Sequence, residues 1–389
     1  MDSAALQRSW ALVARHGDAV PSYFYAILFT AHPELRSMFP MSMSAQRDRL
    51  VNALGVIVSN VDNVEAAVPF VEGLGRDHRR FDVAPEHYPH VGEALLATLA
   101  YFLREEWTPE LAADWTAAYE LVSGVMVKAA EQAAASLPPY WTASVVEHEQ
   151  RGFDVAVLRL QPELAYPYVA GQSCAIEIPD RPRLWRYYSP ANVPRPDGLI
   201  EFHVKAVPGG QVSTAMVYGL QPGDKVKLGA PVGQRLTLQP GSNRDLLLIA
   251  GGTGLAPMKA LVDQIAAGGG RRHVALFVGA RTQPDLYDLP ALEAMSASAA
   301  WLTVVPALSN DPWHGGEQGL VVDVALRRGR WNDRDVYVCG SAEMVGATCE
   351  RLLAAGIPAE RIRREDYTDD PYRPTTATAV TALEEVSAR

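Results

Sequence analysis

The chain has few cysteines: three in 389 residues, at positions 174, 339 and 349. Their odd number and the lack of metal-type spacing argue against a disulfide framework and against a cysteine-ligated zinc site. No secretory leader is recognisable at the start of the chain, so we expect a cytoplasmic protein. No run of about 18 apolar residues occurs either, and the sequence therefore predicts no membrane span.

Basic residues are outnumbered by acidic ones. Lysine and arginine total 35 against 45 for aspartate and glutamate, which gives a formal net charge of -10. This balance disfavours nucleic acid or an anionic membrane as the main partner. The composition is otherwise that of a globular protein, with 48% hydrophobic and 21% charged residues. A length of 389 residues suits two or three domains.

Residues 1–135 predict a helical domain, because apolar residues recur there every three or four positions. Phe70, Leu74 and His78 are spaced by four and therefore share one helix face. Gln46 and Leu50 do the same on an earlier helix. A histidine on an apolar face is more often a core residue than a ligand, but a neutral imidazole there also suits the proximal side of a haem.

The pattern changes after residues 136–143, which we predict to be a linker. Residues 144–241 predict a small antiparallel β-barrel, since short strand-like segments alternate with turns. These segments are 143–149, 153–160, 174–178, 200–207 and 225–228, with a short helix at 211–218. Residues 242–370 predict an α/β domain with a parallel sheet, because apolar runs about 30 residues apart are separated by helices. The runs are 245–250, 274–278, 301–306 and 336–339, and residues 371–389 predict a loose tail.

Residues 251–257, Gly-Gly-Thr-Gly-Leu-Ala-Pro, directly follow a predicted strand and open a predicted helix. Glycines there let the backbone approach a pyrophosphate, and the free N–H groups of the helix face its negative charge. Pro257 stands where the usual dinucleotide fingerprint has glycine or alanine, so this is a different motif. Alone, such a turn is weak evidence of function.

Residues 186–189, Arg-Tyr-Tyr-Ser, combine a cation, an aromatic ring and a hydroxyl. On a strand, Arg186 and Tyr188 point to one face, where a ring packs on a flavin and a cation holds its phosphate. The alternative is an ordinary half-buried strand with a surface arginine. Residues 209–213, Gly-Gly-Gln-Val-Ser, offer a second phosphate site at the start of the short helix.

The order of these motifs, followed by Tyr-Val-Cys-Gly at 337–340, resembles the ferredoxin–NADP reductase superfamily. The resemblance implies that the first two motifs bind FAD, through Arg186, Tyr188, Ser189, Gly209, Gln211, Val212 and Ser213. It also implies that the third binds the pyrophosphate of NADH or NADPH, through Gly252, Thr253, Gly254 and Pro257, with Cys339 and Gly340 near the nicotinamide. Tyr367 matches the aromatic ring that covers the flavin in this family; the alternative is an exposed residue before the tail.

The helical domain resembles the globin domain of flavohaemoglobins. The resemblance rests on Phe24-Tyr25, His-Pro-Glu-Leu at 32–35, Met-Phe at 38–39, Gln-Arg at 46–47, and His78 followed by Pro-Glu-His-Tyr-Pro-His-Val-Gly at 85–92. Globin and reductase occur in flavohaemoglobin order over residues 1–370. The resemblance implies His78 as the proximal iron ligand of haem b, Tyr25 and Gln46 as distal hydrogen-bond donors, Leu50 in the distal pocket, Phe39 packed on the haem and Tyr88 as the partner of His78. His87 and His90 have no such role, and we expect them at the surface or next to the residues that contact the haem directly.

The sequence departs from the family at two places. Where the family has a proximal glutamate in the last globin helix, this chain has Ala130, and Glu131 comes one residue later. A one-residue step turns a helical side chain by about 100°, so we expect Glu131 not to substitute. Where the family often has a flavin-contacting tyrosine, this chain has Ser173, so Tyr168 or Tyr188 is expected to pack the flavin instead.

The resemblance implies that electrons move from NAD(P)H through FAD to haem, where bound oxygen converts nitric oxide to nitrate. The flavin is needed because hydride carries two electrons and iron accepts one at a time. Three alternatives stay open: a flavin reductase that feeds an external acceptor, an oxygen-binding or sensing globin, and a flavohaem protein with another donor such as lactate or a quinol. The choice between NADH and NADPH is also open, and we expect a monomer or weak dimer.

Overall fold

The computed structural model describes residues 1–311 and 316–366, which form two compact units. The first unit comprises Met1–Tyr140 and Pro182–Leu184. The second comprises Trp141–Arg181 and the described residues from Trp185 onward. Among the described residues, no helix combines the length and hydropathy needed to cross a membrane.

The first unit is helical, as the apolar spacing predicts. Its α-helices are α1 (Ser3–Ala14), α2 (Ala19–Ala31), α3 (Ser44–Ser59), α4 (Val64–His78), α5 (His87–Leu103) and α6 (Pro109–Ala134), with a 3-10 helix at Pro33–Met38. Side-chain caps mark several starts: the Asp2, Asn63 and Thr108 oxygens accept hydrogen bonds from backbone N–H groups in the first turn. The core is a cluster of fully buried apolar side chains that includes Leu6, Val13, Leu28, Leu99 and Trp115.

Helices α4 and α6 approach each other closely at Gly75. A Cβ atom at this position would lie 2.3 Å from the Met126 carbonyl oxygen, so only glycine allows this approach. The contact lies one turn before His78, the last residue of α4. The crossing of the two helices therefore positions the end of α4.

The second unit begins with a nearly closed antiparallel barrel. Its strands are β1 (Trp141–Gln150), β2 (Val155–Pro162), β3 (Cys174–Glu177), β4 (Arg186–Tyr188), β5 (Ile200–Lys205) and β6 (Lys225–Leu228), with helix α7 (Gln211–Tyr218) before β6. The strand order is β4-β3-β6-β1-β2-β5. A bridge between Pro190 and Phe202 joins the two ends of this order, because Pro190 follows β4 and Phe202 lies on β5.

A parallel six-stranded sheet follows the barrel. Its elements are β7 (Leu246–Gly251), α8 (Leu255–Ala267), β8 (Val274–Ala280), α9 (Leu289–Ser298), β9 (Leu302–Leu308), β10 (Glu317–Gln318), α10 (Val321–Arg328), β11 (Asp335–Gly340), α11 (Ala342–Ala354) and β12 (Ile362–Asp366). The strand order is β10-β9-β8-β7-β11-β12. Two separate apolar clusters, one including Leu248 and the other Ile249, cover the opposite faces of β7. This explains why the central strands are continuous apolar runs.

The predicted fold class is confirmed, and the differences concern strand ends and edges. Strand β1 starts at Trp141, two residues before the predicted start, because Trp141 pairs with Leu228 and is buried. Strand β12 was absent from the prediction, since four of its five residues are charged. It forms nonetheless by parallel pairing with β11.

Candidate functional site

His78 ends α4 with its ring held in one orientation. Its Nδ1–H donates to the Leu74 carbonyl oxygen at 2.7 Å, which leaves the Nε2 lone pair for a ligand. Burial lowers the pKa of His78, although the bond to Leu74 opposes this shift. The ring is therefore neutral near pH 7. A neutral imidazole oriented by a backbone carbonyl is a suitable axial ligand for haem iron, so this residue fits the group that the sequence predicts.

Tyr25 and Gln46 come together from helices α2 and α3. The Tyr25 side chain is 6% exposed. Burial raises the pKa of Tyr25 to about 12, against the opposing effects of a hydrogen bond with Gln46 and the charge of Arg49. The hydroxyl is therefore protonated at neutral pH and can donate a hydrogen bond. Phe39 packs edge-on against the Tyr25 ring, with centroids 5.5 Å apart, and Leu50 packs against the same apolar cluster.

Tyr88 lies in the first turn of α5, where its backbone carbonyl accepts a hydrogen bond of 2.5 Å from the Tyr119 hydroxyl. Burial raises the pKa of Tyr88. Among the described residues, no hydrogen bond joins Tyr88 to His78, whose Nδ1 is bound to Leu74 instead. The role of Tyr88 as a proximal partner stays a prediction.

Helix α6 carries Ala130 and Glu131 at the position where the sequence departs from the family. Ala130 is half-buried, whereas Glu131 is exposed to solvent. Ala130 lies one turn after Met126, the residue at the close approach of α6 to α4. The face of α6 toward α4 therefore carries a methyl group at the position where the family has a carboxylate.

The first flavin motif forms strand β4. Tyr188 pairs with Cys174 across the sheet and is half-buried, and burial raises its pKa. Arg186 lies on the same face of the strand, and Ser189 follows it directly. Of the two tyrosines proposed to replace the missing ring, Tyr168 is only 4% exposed. Tyr188, which is half-buried, is the more exposed residue of the two.

The second flavin motif is a tight turn into α7. Gly209 has φ +74°, a backbone conformation that favours glycine. A Cβ at Gly210 would lie 2.5 Å from the Ser213 hydroxyl oxygen, which accepts a hydrogen bond from the Val207 N–H at 3.3 Å. Val212 and Ser213 are buried, whereas Gln211 is exposed. The turn is thus built around the serine and suits a close approach of phosphate to the backbone.

The glycine-rich turn lies between β7 and α8, with residues Gly252–Gly254 in one 3-10 turn. A Cβ at Gly254 would lie 2.3 Å from the Cys339 carbonyl oxygen, so this glycine allows the start of α8 to contact the end of β11. Pro257 falls in the first turn of α8, where its missing N–H removes no helical hydrogen bond.

Strand β11 brings the remaining nicotinamide motif to the same sheet edge. Cys339 pairs with Ala250 of β7, and Gly340 pairs with Asp366 of β12. The carboxyl ends of parallel strands are the usual place for a nucleotide, which agrees with the predicted cofactor position. Tyr367 lies outside the described residues.

Sequence reasoning missed a buried charge cluster between the barrel and the parallel sheet. Lys259 Nζ lies 2.6 Å from an Asp288 carboxylate oxygen and 3.1 Å from one of Glu201. His203 Nε2 lies 3.0 Å from Glu201, and its Nδ1 lies 2.7 Å from the Tyr287 hydroxyl. Charged residues so distant along the chain give no signal that they meet in a buried site.

The pKa shifts in this cluster agree with its hydrogen bonds. Burial lowers the pKa of His203, so a neutral ring donates from Nε2 to Glu201 and accepts from Tyr287 at Nδ1. Burial raises the pKa of Glu201, but hydrogen bonds and charges from His203 and Lys259 outweigh this and hold it well below its usual range. Asp288 also lines a small cavity beside Gly252, which connects the cluster to the nicotinamide motif.

Comparisons with known proteins agree with this architecture. Residues 22–126 match the globin family, residues 142–236 an oxidoreductase FAD-binding domain and residues 248–350 an oxidoreductase NAD-binding domain. The flavohemoprotein of Deinococcus radiodurans is 30% identical over 378 residues, covering 90% of this chain and 92% of the relative. That of Bacillus subtilis is 28% identical over 377 residues, covering 91% and 93%.

A solved structure shares the fold over nearly the whole chain. The crystal structure of a flavohemoglobin from Malassezia yamatoensis with bound FAD and heme aligns with a TM-score of 0.75 at 20% identity. The alignment covers 94% of this chain and 98% of that one. A globin joined to an FAD-binding barrel and an NAD-binding sheet defines an NAD(P)H-dependent flavohaem oxidoreductase. The chain belongs to the flavohemoprotein family. Its predicted cofactors, haem, FAD and NAD(P)H, are thereby confirmed.

Proposed function

We propose that this flavohemoprotein is a nitric oxide dioxygenase, which uses oxygen and electrons from NAD(P)H to convert nitric oxide to nitrate. The observation that carries the proposal is the pair of buried Tyr25 and half-buried Gln46, in the same helical unit as a histidine whose Nε2 is available for iron. Preorganised donors of this kind stabilise negative charge on a substrate oxygen.

When bound, the cofactors would supply the electron chemistry: FAD would convert the two electrons of a hydride into single electrons, and haem would provide iron that takes them up and binds oxygen. The protein supplies position and hydrogen bonds. His78 holds the iron through Nε2, and Leu74 fixes the orientation of its ring. The Tyr25 hydroxyl and Gln46 amide donate toward the oxygen, and Phe39 and Leu50 restrict the space around them.

The reductase residues hold the other two cofactors. Arg186, Tyr188 and Ser189, with the turn that starts α7, bind FAD. Residues Gly252, Thr253, Gly254 and Pro257 bind the pyrophosphate of NAD(P)H, and Cys339 and Gly340 lie near the nicotinamide. Support comes from the convergence of β7, β11 and β12 at one sheet edge. Tyr367, as the ring over the flavin, and Tyr88, as a proximal residue, complete the proposal.

The domain boundaries are part of the same proposal: 1–135 for haem, 144–241 for FAD and 242–370 for NAD(P)H. We also place the protein in the cytoplasm, as a monomer or weak dimer. The three cysteines, Cys174, Cys339 and Cys349, are all buried and form no disulfide among the described residues, which suits a reducing compartment.

The test is anaerobic reduction of the purified protein by NADH, followed by addition of oxygen and nitric oxide. We expect the Soret band to shift to that of ferrous haem, and then rapid loss of nitric oxide with formation of nitrate. Flavin bleaching without haem reduction would contradict the proposal and favour an external acceptor.

A matched pair of variants tests the role of Tyr25. Tyr25→Phe should speed oxygen dissociation and lower nitric oxide turnover, because the distal donor is lost. Tyr23→Phe is the control, since Tyr23 is on the same helix and stacks on Tyr101 at 4.2 Å. Equal oxygen dissociation rates in the two variants would remove Tyr25 from the mechanism.

A further inference from the structure

We propose that His32, His90 and Glu93 form a binding site for a divalent transition metal ion of the zinc type. Each side chain offers one ligand atom, and these atoms all lie within 4.8 Å of one another. The site lies in the helical unit and uses none of the residues assigned to haem, so it is additional to the proposed function.

The three residues come from two neighbouring parts of the chain. His32 directly follows α2 and precedes the 3-10 helix at Pro33–Met38. His90 and Glu93 are three residues apart on α5 and therefore share one helix face. The site thus connects the end of α2 to α5, and its ligands are held by regular elements on both sides.

The contacts of these residues leave a ligand atom available on each of them. His32 Nδ1 lies 3.3 Å from the Glu34 carboxylate, and a neutral ring with its proton on Nδ1 presents the lone pair of Nε2. A carboxylate behind a histidine is a common way to orient a zinc ligand and increase its basicity. Among the described residues, His90 and Glu93 make no side-chain hydrogen bond, so binding a metal costs them no existing partner.

The spacing needs only small adjustments. Two zinc–nitrogen bonds of about 2.1 Å at a tetrahedral angle place the nitrogens about 3.4 Å apart. The rings of His32 and His90 are stacked, with centroids 3.7 Å apart and planes at 29°. Rotation about χ2, which is a soft torsion in histidine, turns their nitrogen atoms toward a common point.

The chemical nature of the three ligands determines which class of metal ion the site favours. Two imidazoles and a carboxylate suit zinc, whereas calcium and magnesium prefer oxygen ligands alone. Both histidines are half-buried and Glu93 is exposed, so an ion reaches the site from solvent. Three protein ligands leave a fourth position for water.

The experiment is calorimetric titration of Zn²⁺ into the haem- and FAD-loaded protein after treatment with EDTA. We expect one ion per chain to bind with a dissociation constant below about 10 μM. His90→Ala should weaken this binding at least tenfold. His273→Ala is the control, because His273 is exposed and belongs to no ligand group among the described residues.

A second variant keeps the test independent of folding. Glu93→Gln removes the charge of one ligand at an exposed position, and it should also weaken Zn²⁺ binding. The Soret band and the thermal midpoint without metal show whether each variant folds. Zn²⁺ should raise the midpoint of the wild type and of His273→Ala, but not that of His90→Ala. No binding to the wild type, or binding unchanged in His90→Ala and Glu93→Gln, would overturn the proposal.

Discussion

Lys259→Met removes the cation that two buried carboxylates share between the barrel and the parallel sheet. Lys259 is 12% exposed, and it contacts Asp288, whose side chain is fully buried at 0%, and Glu201, at 16%. Breaking a buried pair by removing one partner costs about 3–5 kcal/mol. Asp288 keeps Arg151 and Glu201 keeps Arg159. We therefore expect a smaller loss, about 2–3 kcal/mol in the free energy of unfolding.

The matched control is Lys205→Met, which removes a lysine at the same boundary in a more exposed place. Lys205 is 27% exposed and lies 3.2 Å from Asp154 and 3.8 Å from Asp285. Exposed pairs of this kind contribute about 0–1 kcal/mol. Methionine retains most of the lysine stem in both variants, so the difference between them reports the burial of the charges rather than lost packing.

The assay is urea unfolding of the full chain, followed by the rise in flavin fluorescence as FAD is released. The midpoint for Lys259→Met should fall well below that of the wild type, and the midpoint for Lys205→Met should stay close to it. Equal losses in the two variants would refute the reasoning, because burial would then contribute nothing to the effect. An unchanged midpoint for Lys259→Met would refute it as well.

Three further predictions concern packing, pH and the haem. Gly75→Ala puts a Cβ 2.3 Å from a backbone oxygen of α6, so we expect a loss of about 1–3 kcal/mol and faster haem release. Gly124→Ala, on α6 with nothing within 4 Å of its Cβ, should instead stabilise the fold by up to about 1 kcal/mol. Similar changes in the thermal unfolding midpoint of the two variants would contradict this prediction. The depressed pKa of Glu201 stabilises the fold above its unfolded value of 4.5, and this stability is lost as pH falls below that value. Glu201→Gln should therefore flatten the pH dependence of urea unfolding below about pH 5, and an unaltered slope would count against it. Ala130→Glu should lower the haem reduction potential in a spectroelectrochemical titration, since a proximal carboxylate makes the ligand histidine a stronger electron donor. An unchanged reduction potential would contradict this prediction.

The sequence predicted the elements whose pattern reflects burial. Helix α7 and strand β6 have the predicted bounds, because turn residues flank them on both sides. Tyr25, Gln46 and His78 were predicted as site residues from their positions on helix faces and from the family motifs, and their roles stay predictions. The hydrogen bond between Tyr25 and Gln46 depends on how α2 and α3 pack.

The remaining features depend on tertiary contacts that leave no local pattern. Strand β12 is mostly charged, and its place in the sheet comes from pairing with β11. Glu201, Lys259 and Asp288 are polar residues in different elements, and each of them alone suggests a solvent-exposed position. Only the contact between barrel and sheet shows that their charges compensate each other in a buried place.

Glu201 makes two contacts that matter when domains are exchanged between related proteins. Its backbone carbonyl accepts a hydrogen bond from the Ala191 N–H at 2.7 Å, just after the flavin motif of β4. Its side chain contacts Lys259 on α8, the helix that starts at the nicotinamide motif. A chimera that keeps this barrel but takes a nicotinamide domain without a basic residue at that helix position leaves Glu201 with Arg159 but without its lysine partner. We therefore expect chimeras that transfer Glu201 and Lys259 together to be more stable than those that separate them.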